Sequence, residues 1–116
     1  MIGRLSSVVL DTADPHGLAQ FYSALLGWPV TRSDGDWVDI SDDNARMSFQ
    51  HAPDHAPPRW PDPAFPQQFH LDIRVDNIDE AEPKVLAMGA KLLSTEEPGF
   101  RVYADPAGHP FCLEYN

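Results

Sequence analysis

The sequence has one cysteine, few basic residues and no long apolar segment. The lone Cys112 excludes an internal disulfide and any zinc site built from several cysteines. No segment approaches the ~20 apolar residues of a membrane-spanning helix. The N-terminal residues also lack the apolar core of a signal peptide. We therefore expect a cytoplasmic protein that does not associate with membranes.

The charge balance is strongly acidic. Eighteen Asp and Glu residues against eight Lys and Arg residues give a formal net charge of −10. Phosphate backbones and anionic lipids bind through clustered basic side chains, so this composition argues against nucleic-acid binding. The acidic excess favours solubility, and it also attracts cationic ligands. The 116 residues suffice for one compact domain with its own core.

The first half contains a clearly marked helix. Asp14 and Pro15 suit the N-cap and the first helical position, and apolar residues follow at helical spacing from Leu18 to Leu26. Gly27 is suited to end the helix in a left-handed conformation. Strand patterns precede the helix, from Gly3 to Leu10, and follow it at about 28–33, 36–41 and 45–51.

The second half repeats this order after a proline-rich segment. Six of the twelve prolines fall within residues 53–66, which excludes a regular helix or central strand there. Asn77 caps a predicted helix that Gly89 ends, although Pro83 predicts an irregular first turn or a later start. The expected strands are Phe69 to Val75 and segments near 90–95, 99–104 and 109–115.

The two halves therefore form an internal repeat. A shift of 63 residues brings Ser7 onto His70 and Asp14 onto Asn77. Such a repeat predicts two half-domains related by a pseudo-twofold axis. We expect one domain over residues 1–116, with a first module at about 3–51, a connector at 52–67 and a second module at about 68–116.

Short motifs in both halves resemble those of a known superfamily. They are Asp14-Pro15, Phe21-Tyr22, Leu26-Gly27-Trp28, His70-Leu71-Asp72, Met88-Gly89-Ala90 and the run from Asp105 to Phe111. With them the sequence resembles the vicinal oxygen chelate superfamily of glyoxalase I, extradiol dioxygenases and bleomycin-resistance proteins, and within it the short glyoxalase-like branch. The resemblance implies an α+β fold of two βαβββ modules that form an incomplete curved barrel around a pocket.

The resemblance also implies where a metal would bind. Metal-dependent relatives take four ligands from the first and last strands of each module, and these positions hold Ser7, Ser48, His70 and Cys112. Only His70 is an ordinary ligand in such a shell of nitrogen and oxygen donors. We therefore expect no cofactor, no tightly bound metal at the family positions and no glyoxalase I reaction, which needs the metal.

Strand alternation predicts which other side chains face the pocket. Asp72 shares a face with His70, and Glu114 shares a face with Cys112. Gln50, two residues after Ser48, would join them. His70, Asp72, Gln50 and Glu114 are thus candidate ligand-binding residues. A divalent ion held by His70 with the two carboxylates is an alternative to simple hydrogen bonding.

Aromatic residues supply the remaining candidates for ligand contact. Trp37, Trp60, Phe100 and Tyr103 lie on predicted strands or in the connector, where they can line a pocket or belong to the core. Trp60 with Phe65 also gives the connector an apolar surface suited to a homodimer interface, as relatives of this size commonly dimerise.

Two functions follow from these observations. One is a small-molecule-binding protein that sequesters or senses an aromatic or cationic compound, as resistance proteins of this superfamily do. The alternative is a lyase, isomerase or dioxygenase that uses His70 in a rearranged metal shell or as a catalytic general base, since histidine exchanges protons near neutral pH.

Overall fold

The computed structural model describes residues 1–115 and divides into two compact units, Met1–His55 and the chain from Ala56 onward. Each unit contains one strand, one helix and three further strands. The first unit consists of β1 (Val8–Thr12), α1 (Pro15–Leu26), β2 (Val30–Ser33), β3 (Trp37–Ser41) and β4 (Arg46–His51). The second consists of β5 (Leu71–Arg74), α2 (Ile78–Ala87), β6 (Lys91–Ser94), β7 (Phe100–Ala104) and β8 (Pro110–Glu114). The predicted α+β class with two βαβββ modules is confirmed.

The two sheets have the same strand order. The first is β1-β4-β3-β2 and the second is β5-β8-β7-β6. In each, the first strand of the module pairs in parallel with the last strand, and the other pairs are antiparallel. A residue of one module therefore has a topological counterpart in the other.

Helix α1 has the predicted ends. The Asp14 side chain accepts a hydrogen bond from the Gly17 amide at 3.0 Å, which satisfies one free N–H of the first turn. Gly27 takes a φ of 72°, a left-handed conformation that favours glycine. The N-terminal strand differs from its prediction, since β1 runs from Val8 to Thr12 rather than from Gly3 to Leu10.

Helix α2 differs from prediction in how it accommodates proline. The helix begins at Ile78, directly after the Asn77 cap, and Pro83 lies inside it. The expected later start is wrong. Asn77 accepts a hydrogen bond from the Glu80 amide at 3.2 Å, which holds the first turn. Pro83 is exposed, so water can reach the carbonyl that the missing N–H leaves unpaired.

Along each strand, successive side chains point to opposite faces of the sheet. One face forms the core, and we call the other the ligand face. One face of the first sheet packs on α1, where Tyr22 stacks on Phe49 with ring centroids 5.8 Å apart. In the second sheet, Tyr103 stacks on Phe111 at 5.4 Å. All four rings are fully or almost fully buried. The cavity described below lies on the opposite face of the second sheet.

The connector packs on the turn between β7 and β8. A Cβ added to Gly108 would come within 2.4 Å of Pro57 Cβ, and the φ of Gly108 is 94°. Glycine is thus required there both by space and by backbone conformation. Neither described helix is long and apolar enough to cross a membrane.

Candidate functional site

A cavity of about 420 Å³ covers the ligand face of the second sheet. Its volume falls in the range of small-molecule sites, roughly 300–1,000 Å³. It is lined by Trp60, Gln67, His70, Asp72, Ser94, Glu96, Glu97, Phe100, Val102, Pro110, Cys112 and Glu114. Four of these residues are acidic and none is Lys or Arg.

The floor of the cavity is one transverse row of residues across the sheet. Asp72 on β5 pairs with Cys112 on β8, which pairs with Val102 on β7. Ser94 on β6 continues the row beyond Val102. Because directly paired residues point to the same side of a sheet, the carboxylate and the thiol are held next to each other.

His70 lies beside this row. Its Nε2 is 3.1 Å from Asp72 Oδ1, and the two side chains are 39% and 51% exposed. The contact places the imidazole beside the carboxylate while both side chains stay partly exposed.

Cys112 is the buried member of the site. Burial raises the pKa of its thiol to about 11, and the Asp72 and Glu114 carboxylates add to the rise. The thiol is therefore protonated at neutral pH and is a poor nucleophile in the absence of a bound cation. This agrees with the sequence, which has no Lys or Arg adjacent to Cys112 along the chain.

The corresponding face of the first sheet has a smaller cavity, of about 270 Å³, whose polar groups are hydrogen-bonded to one another. Ser48 Oγ donates to Asp39 Oδ1 at 2.6 Å, and Trp37 Nε1 donates to the same oxygen at 2.6 Å. Ser7 Oγ is 2.6 Å from Ser48 Oγ. Because the Ser48 proton is directed to Asp39, Ser7 is the donor in that bond. Asp39 and Ser48 are both buried.

This hydrogen-bonded chain decides whether the metal of the superfamily fits here. Two of the four family ligand positions, Ser7 and Ser48, are neutral hydroxyls engaged with each other and with Asp39. A third position is the thiol of Cys112. These residues do not fit an octahedral ion with nitrogen and oxygen ligands.

The structure brings together five of the eight predicted ligand-binding residues: His70, Asp72, Glu114, Trp60 and Phe100 all line the cavity of the second unit. Gln50 and Trp37 belong to the first unit, where Gln50 is exposed on β4 and Trp37 is bonded to Asp39. Neither lines this cavity.

Tyr103 lies on the helix-facing side of β7 and is fully buried. Its hydroxyl donates to Glu82 Oε1 at 2.7 Å, and Arg101 Nη1 is 3.0 Å from the same oxygen. The bond from Tyr103 lowers the pKa of Glu82, with Arg101 acting in the same direction, whereas burial raises the pKa of Tyr103. Tyr103 thus connects β7 to α2.

Sequence reasoning missed several residues of the cavity wall. Val102 and Ser94 follow from the strand register, which the sequence does not specify. Glu96 and Glu97 belong to the segment between β6 and β7, whose position depends on how that turn folds. Their only signal was two adjacent acidic residues, which surface turns commonly carry.

Solved structures of similar fold cover nearly the whole chain. A glyoxalase/bleomycin resistance protein/dioxygenase family enzyme from Burkholderia phytofirmans PsJN has a TM-score of 0.74 at 20% identity, covering 97% of this chain and 98% of that one. The fosfomycin resistance protein FosX from Listeria monocytogenes has a TM-score of 0.74 at 16% identity, with 100% and 93% covered. A glyoxalase-related enzyme from Fulvimarina pelagi has a TM-score of 0.73 at 17% identity, with 99% and 89% covered.

These similarities show that the chain has the same fold as those proteins. The sequence profile of the glyoxalase-like domain matches residues 7–114, so the chain belongs to the glyoxalase-like domain family. No curated protein matches the chain in sequence. The superfamily resemblance expected from the motifs is thereby confirmed.

Proposed function

We propose that the protein binds a small organic cation with an aromatic or apolar part in the cavity of the second module. The observation that carries this proposal is the composition of the cavity wall. Carboxylates occur at four places, the aromatic rings of Trp60 and Phe100 at two, and Lys or Arg side chains at none. A compound that offers a positive charge and a flat apolar surface complements both kinds of wall.

The charge of the cavity wall determines the sign of the charge that the ligand carries. Asp72, Glu96, Glu97 and Glu114 give the wall a negative charge at neutral pH, and the chain as a whole carries −10. A concave site lined by one sign of charge concentrates ions of the opposite sign and speeds their association. The exposed position of Glu96 and Glu97 makes this attraction sensitive to salt.

The apolar wall supplies the second part of the recognition. Trp60 and Phe100 are partly buried, so each keeps a surface that a ligand can cover. A cation over an aromatic face gains about 0.5–1 kcal/mol at an exposed site. Stacking of an aromatic ligand ring adds about 0.5–1.5 kcal/mol beyond the area that it buries.

We place the biological role with sequestration or sensing of such a compound. Support comes from the superfamily, in which the FosX relative is a resistance protein, and from the protonated state of the Cys112 thiol. A homodimer remains part of this proposal. Phe65 is 40% exposed and has the Arg59 guanidinium 4.4 Å above its ring, giving the connector a firm contact surface.

A proton-transfer enzyme is the second candidate, and the His70–Asp72 pair favours it. The 3.1 Å contact orients the imidazole, and Nδ1 can accept a proton from a bound substrate. Removal of this base in His70→Gln would abolish turnover and leave the affinity for the ligand within a few-fold.

The experiment is calorimetric titration with matched aromatic compounds that are cationic, neutral or anionic. We expect the cation to bind most tightly and its affinity to fall with added salt. Glu114→Gln should lower the affinity for the cation by roughly 3–10-fold through loss of one nearby charge. Glu80→Gln, which removes an exposed carboxylate of α2 outside the cavity, is the matched control. Preferential binding of the anion, or equal effects of the two substitutions, would contradict the proposal.

A further inference from the structure

The second module contains another cavity, which we call the connector cavity, in addition to the acidic cavity around Asp72 and Glu114. Its volume is about 440 Å³. Its walls come from the connector, the start of β6 and the turn between β7 and β8, and they include Trp60, Leu93, three prolines and two basic residues. The volume is again in the range of small-molecule sites.

The strand register places the connector cavity next to the acidic cavity. Val102 lines the acidic cavity and Ala104 lines the connector cavity. They are two positions apart on β7, so they point to the same face of the sheet and lie about 7 Å apart. Lys91 on β6 pairs with Ala104 and joins it in the same wall. Because Trp60 lines both cavities, one compound that extends along this side chain reaches both.

The connector cavity carries the opposite charge. Arg59 and Lys91, two of the eight Lys and Arg residues of the chain, belong to its wall. Its acidic residue, Asp105, is buried, and Oδ1 accepts hydrogen bonds from the backbone amides of Ala107 and His109 at 2.8 and 3.0 Å. In the described part of the chain, neither Arg59 nor Lys91 has a carboxylate oxygen within 4.0 Å. Both cations are therefore available to an anionic group of a ligand.

Contacts between its segments hold the connector cavity in shape. The connector packs on the turn between β7 and β8, and that turn also meets the segment after α2, where a Cβ added to Gly89 would lie 3.3 Å from Pro106 Cγ. The Arg59 N–H donates to the Phe65 carbonyl at 2.9 Å, and the Arg59 guanidinium lies 4.4 Å from the centre of the Phe65 ring. A cavity whose walls are already ordered loses less conformational entropy when a ligand binds.

We infer that the ligand of the second module carries a carboxylate as well as its cationic group, and that this carboxylate binds to Arg59 and Lys91 in the connector cavity. The inference rests on the proposed function, because it specifies the chemistry of the same ligand. The cationic group lies among the carboxylates of the acidic cavity, and the apolar part lies along Trp60. A guanidinium matches the geometry of a carboxylate, which it binds through two parallel hydrogen bonds.

The distance between the cavities restricts the ligand further. The two charged groups must be separated by about 7 Å or more, the distance between neighbouring positions on one face of β7. An α-amino acid is excluded, because its two charges are attached to the same carbon atom. The ligand class is thus an elongated zwitterion with an apolar or aromatic middle.

The test compares two compounds of the same shape by calorimetry on the full chain. The first, para-(aminomethyl)phenylacetate, has a cationic group and a carboxylate at opposite ends of a benzene ring. The second, para-(aminomethyl)phenylacetamide, keeps the cationic group and has a neutral amide in place of the carboxylate. We expect the carboxylate compound to bind roughly 3–10-fold more tightly, as two exposed ion pairs would provide. Equal affinities, or tighter binding of the amide compound, would overturn the inference.

Substitution of the two cations tests where the carboxylate binds. Lys91→Gln should lower the affinity for the carboxylate compound by roughly 3-fold and leave that for the amide compound unchanged. The double variant that adds Arg59→Gln should bind the carboxylate compound no more tightly than the amide compound. Both positions are exposed, so the fold should tolerate these changes.

Lys84→Gln is the matched control, because Lys84 is exposed on α2 and lines neither cavity. This variant should bind both compounds as the parent does. Equal effects of Lys84→Gln and Lys91→Gln would contradict the inference.

Failure of this inference differs from failure of the proposed function. If neither compound binds, both are wrong. If the amide compound binds and Glu114→Gln weakens its binding, while the carboxylate gives no gain in affinity, the cation site stands and only the carboxylate site is refuted.

Discussion

The two modules share a backbone plan but use the ligand face of their sheets in opposite ways. The same transverse row reads Val9, Ser48, Asp39 and Arg32 in the first module, and Asp72, Cys112, Val102 and Ser94 in the second. In the first, the carboxylate lies on the third strand and is enclosed by Trp37 and Ser48. In the second, it lies on the first strand and stays half exposed beside His70. One row is satisfied internally and the other offers its donors to a ligand.

The helix-facing sides differ less. Each module buries a stacked tyrosine–phenylalanine pair whose rings are inclined by 19°. The phenylalanine comes from the last strand in both, whereas the tyrosine comes from α1 in the first module and from β7 in the second. Both modules thus bury the same kind of ring pair, although the tyrosine comes from a different element in each. The residues of the ligand face, in contrast, differ between the modules.

The largest expected effect is on this shared core. Phe49→Ala and Phe111→Ala should each destabilise the protein by about 3–5 kcal/mol, because each removes a fully buried ring and leaves a cavity. Chemical denaturation monitored by circular dichroism would measure both. A large cost in one module with a small cost in the other would break the equivalence of the two cores.

Aspartate substitutions probe the divergent faces directly. Asp39→Ala should cost about 2–4 kcal/mol, since it leaves the Trp37 N–H and the Ser48 hydroxyl without their acceptor inside the protein. Asp72→Ala should change stability by less than about 0.5 kcal/mol, as expected for a half-exposed side chain. Unfolding curves that rank the two in the reverse order would refute the assignment of Asp39 as the hydrogen-bonded carboxylate and Asp72 as the open one.

Removal of one hydroxyl group tests the hydrogen bond from Tyr103 on β7 to the Glu82 carboxylate. Tyr103→Phe should destabilise the protein by about 1–2 kcal/mol through loss of its bond to the Glu82 carboxylate, which keeps Arg101. Tyr115→Phe is the control, because Tyr115 meets Arg101 through its ring face at 5.9 Å. Equal thermal stabilities of the two variants would show that the Tyr103 hydroxyl does not stabilise the fold as predicted.

The last expected effect, which arises only above neutral pH, is a loss of stability in alkali. The folded state raises the pKa of Cys112 to about 11 and also raises that of Tyr103, so the unfolded chain releases these protons at lower pH. Stability is therefore unaffected below the unfolded thiol pKa of about 8.5 and declines as pH rises towards about 11. Urea midpoints at intervals across this range measure the decline. Cys112→Ala should remove the contribution of the thiol to this pH dependence. If stability still declines with pH as steeply as in the parent, the effect belongs to another group.

Much of the fold was predictable because its signals are local. Asp14, Pro15 and Gly27 mark the ends of α1 through capping chemistry that needs no tertiary contact. Helix α2 was predicted less well, because propensity disfavours Pro83 while the capped first turn and the buried Ile78 and Val85 stabilise the helix around it.

The candidate site was predictable only within one strand. Alternation correctly grouped His70 with Asp72, and Cys112 with Glu114, on one cavity wall. The contact between Asp72 and Cys112 depends on strand register, and that of Trp60 depends on the path of the connector. Neither is encoded by a local pattern. Gln50 was grouped with His70 by strand parity and Trp37 was included as an aromatic residue, and neither signal specifies which module supplies a cavity wall.

The parallel pairing of the first and last strands also has a kinetic consequence. Asp72 and Cys112 are neighbours in the sheet, but they are 40 residues apart in the chain. Their contact closes a long loop, and such contacts form late because the entropy of closure must be lost before pairing compensates it. During synthesis β5 therefore leaves the ribosome without its partner, and the edge that carries Asp72 stays unpaired until β8 emerges. The contact between Asp72 and Cys112 on the cavity floor can form only after the last strand of the second module has been made.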